Sequence, residues 1–286
     1  MSELAADGIP VAVSCRVLEI ARQPYYRWLK NPVTDAERVE AHRANALFDA
    51  HREDPEFGYR YLADEAHVAG EAMCRRTAWR ICSAGGWRST ISKKGRGRHR
   101  KAGPPVHDDL VERDFTAQGP NELWLTDITE HRTSEGKLYL CAIKDVYSGR
   151  IVGYSIDSRM KSRLAVNALT SAVARRDDVT GCVLHSDRGS QFRSKKMQAA
   201  LAHHGLVGSM GRVGACGDNA AMESFFSLLQ NNVLDRRSWV TRDELRGAIV
   251  HWIERTYHRR RRQDRLGRLT PIEFETIINH EALQAA

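Results

Sequence analysis

The chain has 286 residues, 44 Lys+Arg against 36 Asp+Glu, a net charge of +8 and a pI near 9.3. Hydrophobic residues at 42% and charged residues at 28% exclude a disordered chain, and six cysteines without a CxxC pair exclude a disulfide scaffold or a zinc ribbon and suit a reducing cytoplasm. No run approaches the roughly 18 apolar residues of a membrane span, and the N-terminus lacks the pattern of an export signal, so neither membrane insertion nor secretion is expected.

From Val11 to Lys30 two short helices are expected, with Pro24 in the first turn of the second and Gln23, Tyr26, Arg27 and Lys30 facing outward. That outline is helix-turn-helix-like and defines a segment 1–50. A second unit, 51–88, runs through GYRYLADEAHVAG, closed at Gly70, and MCRRTAWRICSAGGW, stopped at Gly85 and Gly86. Its later helix sets Arg75, Arg76, Thr77 and Arg80 opposite Ala78, Ile81 and Cys82. Residues 89–111 read as a basic linker: Arg88 to Lys101 holds seven Lys/Arg, including Lys93 and Lys94, and no acid.

Beyond it, 112–286 changes to a mixed pattern. ELWLTDIT, KLYLCAIKDV and RIVGYSI form an antiparallel meander, followed by a helix over 162–175, a strand over 181–185, a helix near 194–204, a strand near 206–210 and a glycine-rich loop. The last helix of this series carries Met222, Phe225, Phe226, Leu229 and Val233 on one stripe, with Glu223 and Gln230 on its flank. The order βββαβαβα is that of the α/β, ribonuclease H-like mixed sheet. A basic helix over Arg255 to Arg268, with seven arginines that include Arg259 and Arg260, is expected near the C-terminus.

Three acids carry the chemistry. Asp127 interrupts a strand of Leu, Trp and Ile, where an aspartate is disfavoured and needs a charge partner. Asp187 follows the LHS strand at the end where sites in open sheets collect. Glu223 follows after 35 intervening residues, long enough for the chain to return to the same pocket; alone, it is an ordinary first-turn acid. Together they form a hard-oxygen set suited to Mg²⁺ or Mn²⁺, with two ions for in-line phosphoryl transfer. Arg188, Gln191 and Asn219 stand beside the acids and suit either phosphate contact or structural hydrogen bonding. His185 and Ser186 do not make a hydrolase triad, because the nucleophile-elbow glycines are missing.

WLTDIT, HSDRGSQF and GDNAAMESFF, at these spacings, resemble the DDE integrase core of IS3-family insertion-sequence transposases, and GYRYLADE…RRTAWRI and TPIEFE resemble that family's upstream and terminal motifs. The resemblance covers most of the chain. It implies metal-dependent DNA cleavage and strand transfer by Asp127, Asp187 and Glu223. It also implies DNA ends and target DNA as partners, a homo-oligomer on DNA, and an upstream-frame protein or frameshift fusion, at the nucleoid in a bacterial cytoplasm. Gln230 stands where members usually carry lysine, Gly217 where an aromatic is common, and Tyr257-His258 where Tyr-Asn is usual. A noncatalytic or regulatory DNA-binding product, or a nuclease of the same fold without strand transfer, shares these features.

Overall fold

The computed structural model describes residues 2–55, 57–89, 104–211 and 220–285, apart from the side chains of 220 and 279–285. The chain divides into two compact units, Met1–Ser89 and Thr90–Ala286.

The first unit contains α1 (Ser2–Ala6), α2 (Val11–Val17), α3 (Arg22–Lys30), α4 (Asp35–Glu53), α5 (Tyr59–Val68) and α6 (Arg75–Ala84). Its core is made by the last three. Leu47 of α4 meets Tyr61, Leu62 and Ala66 of α5 and Ala78, Ile81 and Cys82 of α6, with Phe57 stacked on Tyr61 at 3.7 Å between ring centroids. A capping box starts α4: the Glu37 amide donates to Thr34 Oγ1 and the Thr34 amide to Glu37 Oε2. The segment break expected at 50/51 therefore falls in the last turn of a helix that shares one core with α5 and α6. Gly70 leaves α5 with φ +96°, a conformation that suits glycine at a helix exit. In the α2–α3 pair Cys15 and Tyr25 are buried, but Val17, Leu18, Ile20, Trp28 and Leu29 are exposed, so periodicity there does not report burial.

The second unit is built on a five-stranded sheet of β1 (Leu123–Thr133), β2 (Gly136–Asp145), β3 (Ile151–Asp157), β4 (Val183–Ser186) and β5 (Val207–Met210), in the order β3-β2-β1-β4-β5. The meander β1-β2-β3 is antiparallel; β4 joins β1, and β5 joins β4, in parallel. This is the expected ribonuclease H-like arrangement. Alternation along each strand feeds two cores. Trp124, Cys141, Ile143 and Val152 point to α7 (Ser162–Val173) and α8 (Lys195–His203). Leu123, Leu125, Leu138, Leu140 and Ala142 point to α9 (Ala220–Leu229) and α10 (Arg242–His251), where Met222, Phe225, Trp252 and Tyr257 fill the space. Gly153 lets α7 approach β3, because a Cβ there would stand 2.4 Å from the Ala168 carbonyl oxygen.

Two features depart from expectation. The helices continue into π-helical turns, Gln230–Leu234 after α9 and Trp252–Tyr257 after α10. The single basic helix over Arg255–Arg268 does not form: the chain leaves helical geometry by Arg261, makes a 3₁₀ turn at Asp264–Leu266, and resumes as α11 (Pro271–Ala285). Ion pairing explains the turn. Arg262 pairs with Glu273, and Arg265 donates to the Val146 carbonyl, so this stretch docks on the core. Glu273 also closes a capping box with Thr270, and Glu275 binds both Arg150 and Arg176, giving TPIEFE a fastening role. Residues 104–111, expected in the linker, are packed: the Met210 amide donates to the Asp108 carbonyl and the Leu110 amide to Ser209 Oγ.

Candidate active site

Pleating puts odd-numbered β1 residues on the α9 face, so Asp127 continues the row Leu123, Leu125. The parallel pairing of β1 with β4 reaches Leu125 and His185. Two residues further along both chains, the same register sets Asp127 level with Asp187, just beyond the last residue of β4. Adjacent strands lie about 4.8 Å apart, so the two carboxylates become neighbours by topology alone.

Each is held by local backbone. The Ile128 amide donates to Asp127 Oδ1 at 2.7 Å, and the Gly189 amide to Asp187 Oδ1 at 2.9 Å. A Cβ at 189 would come within 2.9 Å of that same Asp187 oxygen, so a larger residue there would shift the Asp187 carboxylate. Glu223 is exposed in the first turn of α9, which lies on β1 through Met222, Phe225 and Leu229. Burial pushes the Asp127 carboxyl up to about 7, Asp187 adds to the rise, the Ile128 amide opposes it, and Glu223 raises it further. The charges that raise it are thus the other two acids. A cation beside a carboxyl raised in this way would lower it again. Among the described residues, no three His, Cys, Asp or Glu side chains stand at metal-holding spacing. Asp127 and Asp187 are juxtaposed by the sheet, whereas Glu223 acts on Asp127 from its helix.

The neighbours have defined contacts. His185 Nδ1 and Ser209 Oγ share a 2.9 Å hydrogen bond, and Ser186 Oγ donates to the Asp187 carbonyl, an arrangement unlike a nucleophile and its base. Arg188 Nε donates to the Gly211 carbonyl, and Gln191 Nε2 to the Met160 carbonyl, so both brace loops around Asp187. Gln230 Nε2 donates to Asp235 Oδ1 at 2.6 Å. A π-helical turn begins at this residue, directly after α9.

In the first unit Arg76 is exposed, whereas both terminal nitrogens of Arg80 bind Glu40 of α4 at 2.7 Å. Arg75 is partly buried. Arg259 is exposed and Arg260 partly buried, at the end of the helical stretch after the second π-turn. Lys93, Lys94 and Asn219 lie outside the described residues.

Sequence reasoning missed Lys144. It lies on the α9 face of β2, is 7% exposed, and donates through Nζ to the Ala221 carbonyl at 3.1 Å. The signal was present in AIKD: a lysine in the inward register of a strand otherwise filled by Leu138, Leu140 and Ala142.

Two sequence profiles described as "Integrase core domain" match residues 117–216 and 204–271. Over this region the protein is a polynucleotidyl transferase of the integrase-core class. The chain is 35% identical over 269 residues, 93% of each chain, to the transposase InsF of insertion sequence IS3A from Escherichia coli (strain K12). It is 34% identical over 262 residues, 91% of this chain and 96% of the relative, to an uncharacterized 31 kDa protein of insertion element IS600 from Shigella sonnei. The chain belongs to the IS3 family of insertion-sequence transposases. Among solved structures, an HTLV-2 integrase catalytic core domain in complex with magnesium aligns with 18% identity and a TM-score of 0.45, covering 56% of this chain and 99% of that one. A simian T-cell lymphotropic virus intasome aligns with 17% identity and a TM-score of 0.47, covering 81% and 73%.

Proposed function

We propose that the protein cuts and joins DNA at the ends of an insertion sequence, with Asp127, Asp187 and Glu223 holding two divalent ions, Mg²⁺ or Mn²⁺. The observation that supports this reading is the β1–β4 register, whose last pair, Leu125 with His185, stands two residues before Asp127 and Asp187 on the face covered by α9. A pair of ions held by these acids would supply activation of the attacking oxygen and charge neutralisation at the leaving oxygen. The protein contributes the ligands and their placement. Ile128 and Gly189 amides orient the two aspartates, and burial lifts the Asp127 carboxyl to about 7.

The reaction needs no protein nucleophile. Water attacks a phosphodiester at the element end and a 3′-OH leaves; that 3′-OH then attacks a phosphodiester of target DNA and displaces a second 3′-OH. Two exposed basic sites serve as lower-order contacts to DNA phosphates in this reading, Arg76 on α6 and Arg259 near the C-terminus, with Lys93 and Lys94 of the basic stretch 88–101. The working form is a homo-oligomer on DNA, at the bacterial nucleoid, alone or fused to an upstream-frame product. No described helix is long and apolar enough to cross a membrane.

The test incubates the full chain, with and without the upstream product, with labelled element-end DNA and Mg²⁺. The parent gives 3′-end cleavage and joined products, while Asp127→Asn gives neither and still shifts the DNA. Equal activity of the variant overturns the carboxylate assignment. A DNA shift without cleavage in any divalent metal favours a regulatory, binding-only protein.

A further inference from the structure

Lys144 occupies a position where the sheet has every reason to place a leucine. It is opposite Leu125 of β1, on the face formed by Leu123, Leu138, Leu140 and Ala142, and only 7% of it is exposed. Among the described residues no carboxylate pairs with its ammonium; its hydrogen bond goes to the Ala221 carbonyl at 3.1 Å. Keeping an unpaired charge in such a place is costly unless it performs a task. Burial accordingly pushes the amine down to about 7, with Arg265 adding to the fall.

The backbone points the same way. The β2–β3 register shifts between Ile143 and Lys144: Ile143 pairs with Gly153 and Lys144 with Ile151, leaving Val152 as the extra residue of a bulge. Bulges of this kind re-aim side chains and gather beside functional sites. The side chain aimed from here reaches the first turn of α9, two residues before Glu223. Its hydrogen bond ties the start of α9 to the sheet at a single point. The packing of Met222, Phe225 and Leu229 on the sheet is apolar contact, which resists separation better than it resists sliding or rotation. A directional donor at the helix start supplies the missing constraint.

We propose that Lys144 is a positioning residue: by gripping the Ala221 carbonyl from the sheet, it sets the height and rotation of the first turn of α9, and so where Glu223 stands relative to Asp127 and Asp187. The proposal rests on the reading of those three acids as cation ligands. Its role is mechanical: its hydrogen bond goes to the backbone at the start of α9, the Ala221 carbonyl.

The experiment measures Mn²⁺ binding to the full-length protein by calorimetry, together with the Mn²⁺ concentration for half-maximal end cleavage, in the parent, Lys144→Met, Lys144→Arg and Asp127→Asn. Lys144→Met preserves length and removes the donor. It is expected to melt no lower than the parent, to bind DNA normally, to bind Mn²⁺ at least tenfold more weakly, and to need a correspondingly higher concentration for cleavage. Lys144→Arg, which keeps a donor, recovers part of that loss. Amide exchange over 221–225 is faster in Lys144→Met. If Lys144→Met misfolds, Lys144→Leu, which also lacks a donor, carries the same comparison. Parent-like Mn²⁺ binding by a folded Lys144→Met or Lys144→Leu, while Asp127→Asn has lost it, overturns the Lys144 proposal alone. Mn²⁺ binding that survives Asp127→Asn overturns the ligand assignment, and the Lys144 proposal with it.

Discussion

Replacing Asp127 by asparagine should stabilise the metal-free protein while abolishing its chemistry. In the folded state the Asp127 carboxyl titrates at about 7 against an ordinary value of 3.8, first because burial disfavours the anion and then because Asp187 and Glu223 repel it. A raised carboxyl contributes stability that is fully present below about 3.8 and is lost as the pH rises through about 7. Above pH 7 the protein thus carries the full cost of an ionised Asp127. At 1.36 kcal/mol per pH unit the ceiling on that cost is about 4 kcal/mol. Residue 127 is partly open to water and its neighbours can move, so about 2 kcal/mol is the working figure. The amide side chain of the variant keeps an oxygen for the Ile128 amide and carries no charge. For a unit of this size, about 2 kcal/mol corresponds to a rise of about 4–8 °C in melting temperature. The assay is thermal unfolding of parent and D127N in EDTA at pH 8 and pH 5. The variant should melt higher at pH 8, by less than half as much at pH 5, and should lose the stabilisation that Mn²⁺ gives the parent. A variant that melts lower at pH 8, or gains equally at both pH values, would refute the electrostatic reasoning.

Other consequences follow from the packing and the charges. Gly153→Ala places a methyl 2.4 Å from the Ala168 oxygen and 2.5 Å from the Ala172 nitrogen, so it should cost about 1–3 kcal/mol, read by denaturant unfolding; a neutral result shows that α7 can retreat. His258 is neutral as bound: the Ile151 amide donates to Nε2, and Nδ1 donates to Glu254. Its pKa is lowered chiefly by burial, with Glu254 opposing, so its stability contribution is present above about 6.5 and is lost as the pH falls through the depressed value. His258→Gln should flatten the acid limb of the stability profile, and an unchanged limb contradicts this. Arg76→Ala should weaken DNA binding and reduce its salt slope by about one, and Arg80→Ala by less, because Glu40 already engages that guanidinium; salt titration of binding distinguishes them. Gln230→Lys should add little DNA affinity while Asp235 remains, and more when combined with Asp235→Asn.

The sheet was legible because strand signals are local. Runs such as KLYLCAIKDV and RIVGYSI alternate or cluster β-branched and aromatic residues between turn residues, and they formed β2 and β3 within a residue or so of the expected bounds. Asp127 and Asp187 stood out for the same reason: each interrupts or ends an apolar run. What could not be read is decided by distant partners or by helix phase. Nothing within α6 announces that Arg80 binds Glu40, forty residues earlier. The π-turn at Gln230–Leu234, where Val233 and Leu234 are buried in the core, has no signature in the regular apolar stripe of α9. Arginines 262 and 265, expected on one basic helix, instead take Glu273 and the Val146 carbonyl as internal partners. Lys144 was hidden inside a strand run, where a single lysine passes as an edge residue unless the inward register is counted.

The central claim is that Asp127, Asp187 and Glu223 share divalent cations. Its most direct test is anomalous scattering from Mn²⁺ in crystals of the full chain bound to element-end DNA. Two manganese peaks about 3.5–4 Å apart, with oxygens of all three residues at roughly 2.0–2.6 Å, are the predicted result. Manganese bound elsewhere, or a Glu223 that stays outside ligand distance with DNA and metal present, contradicts it.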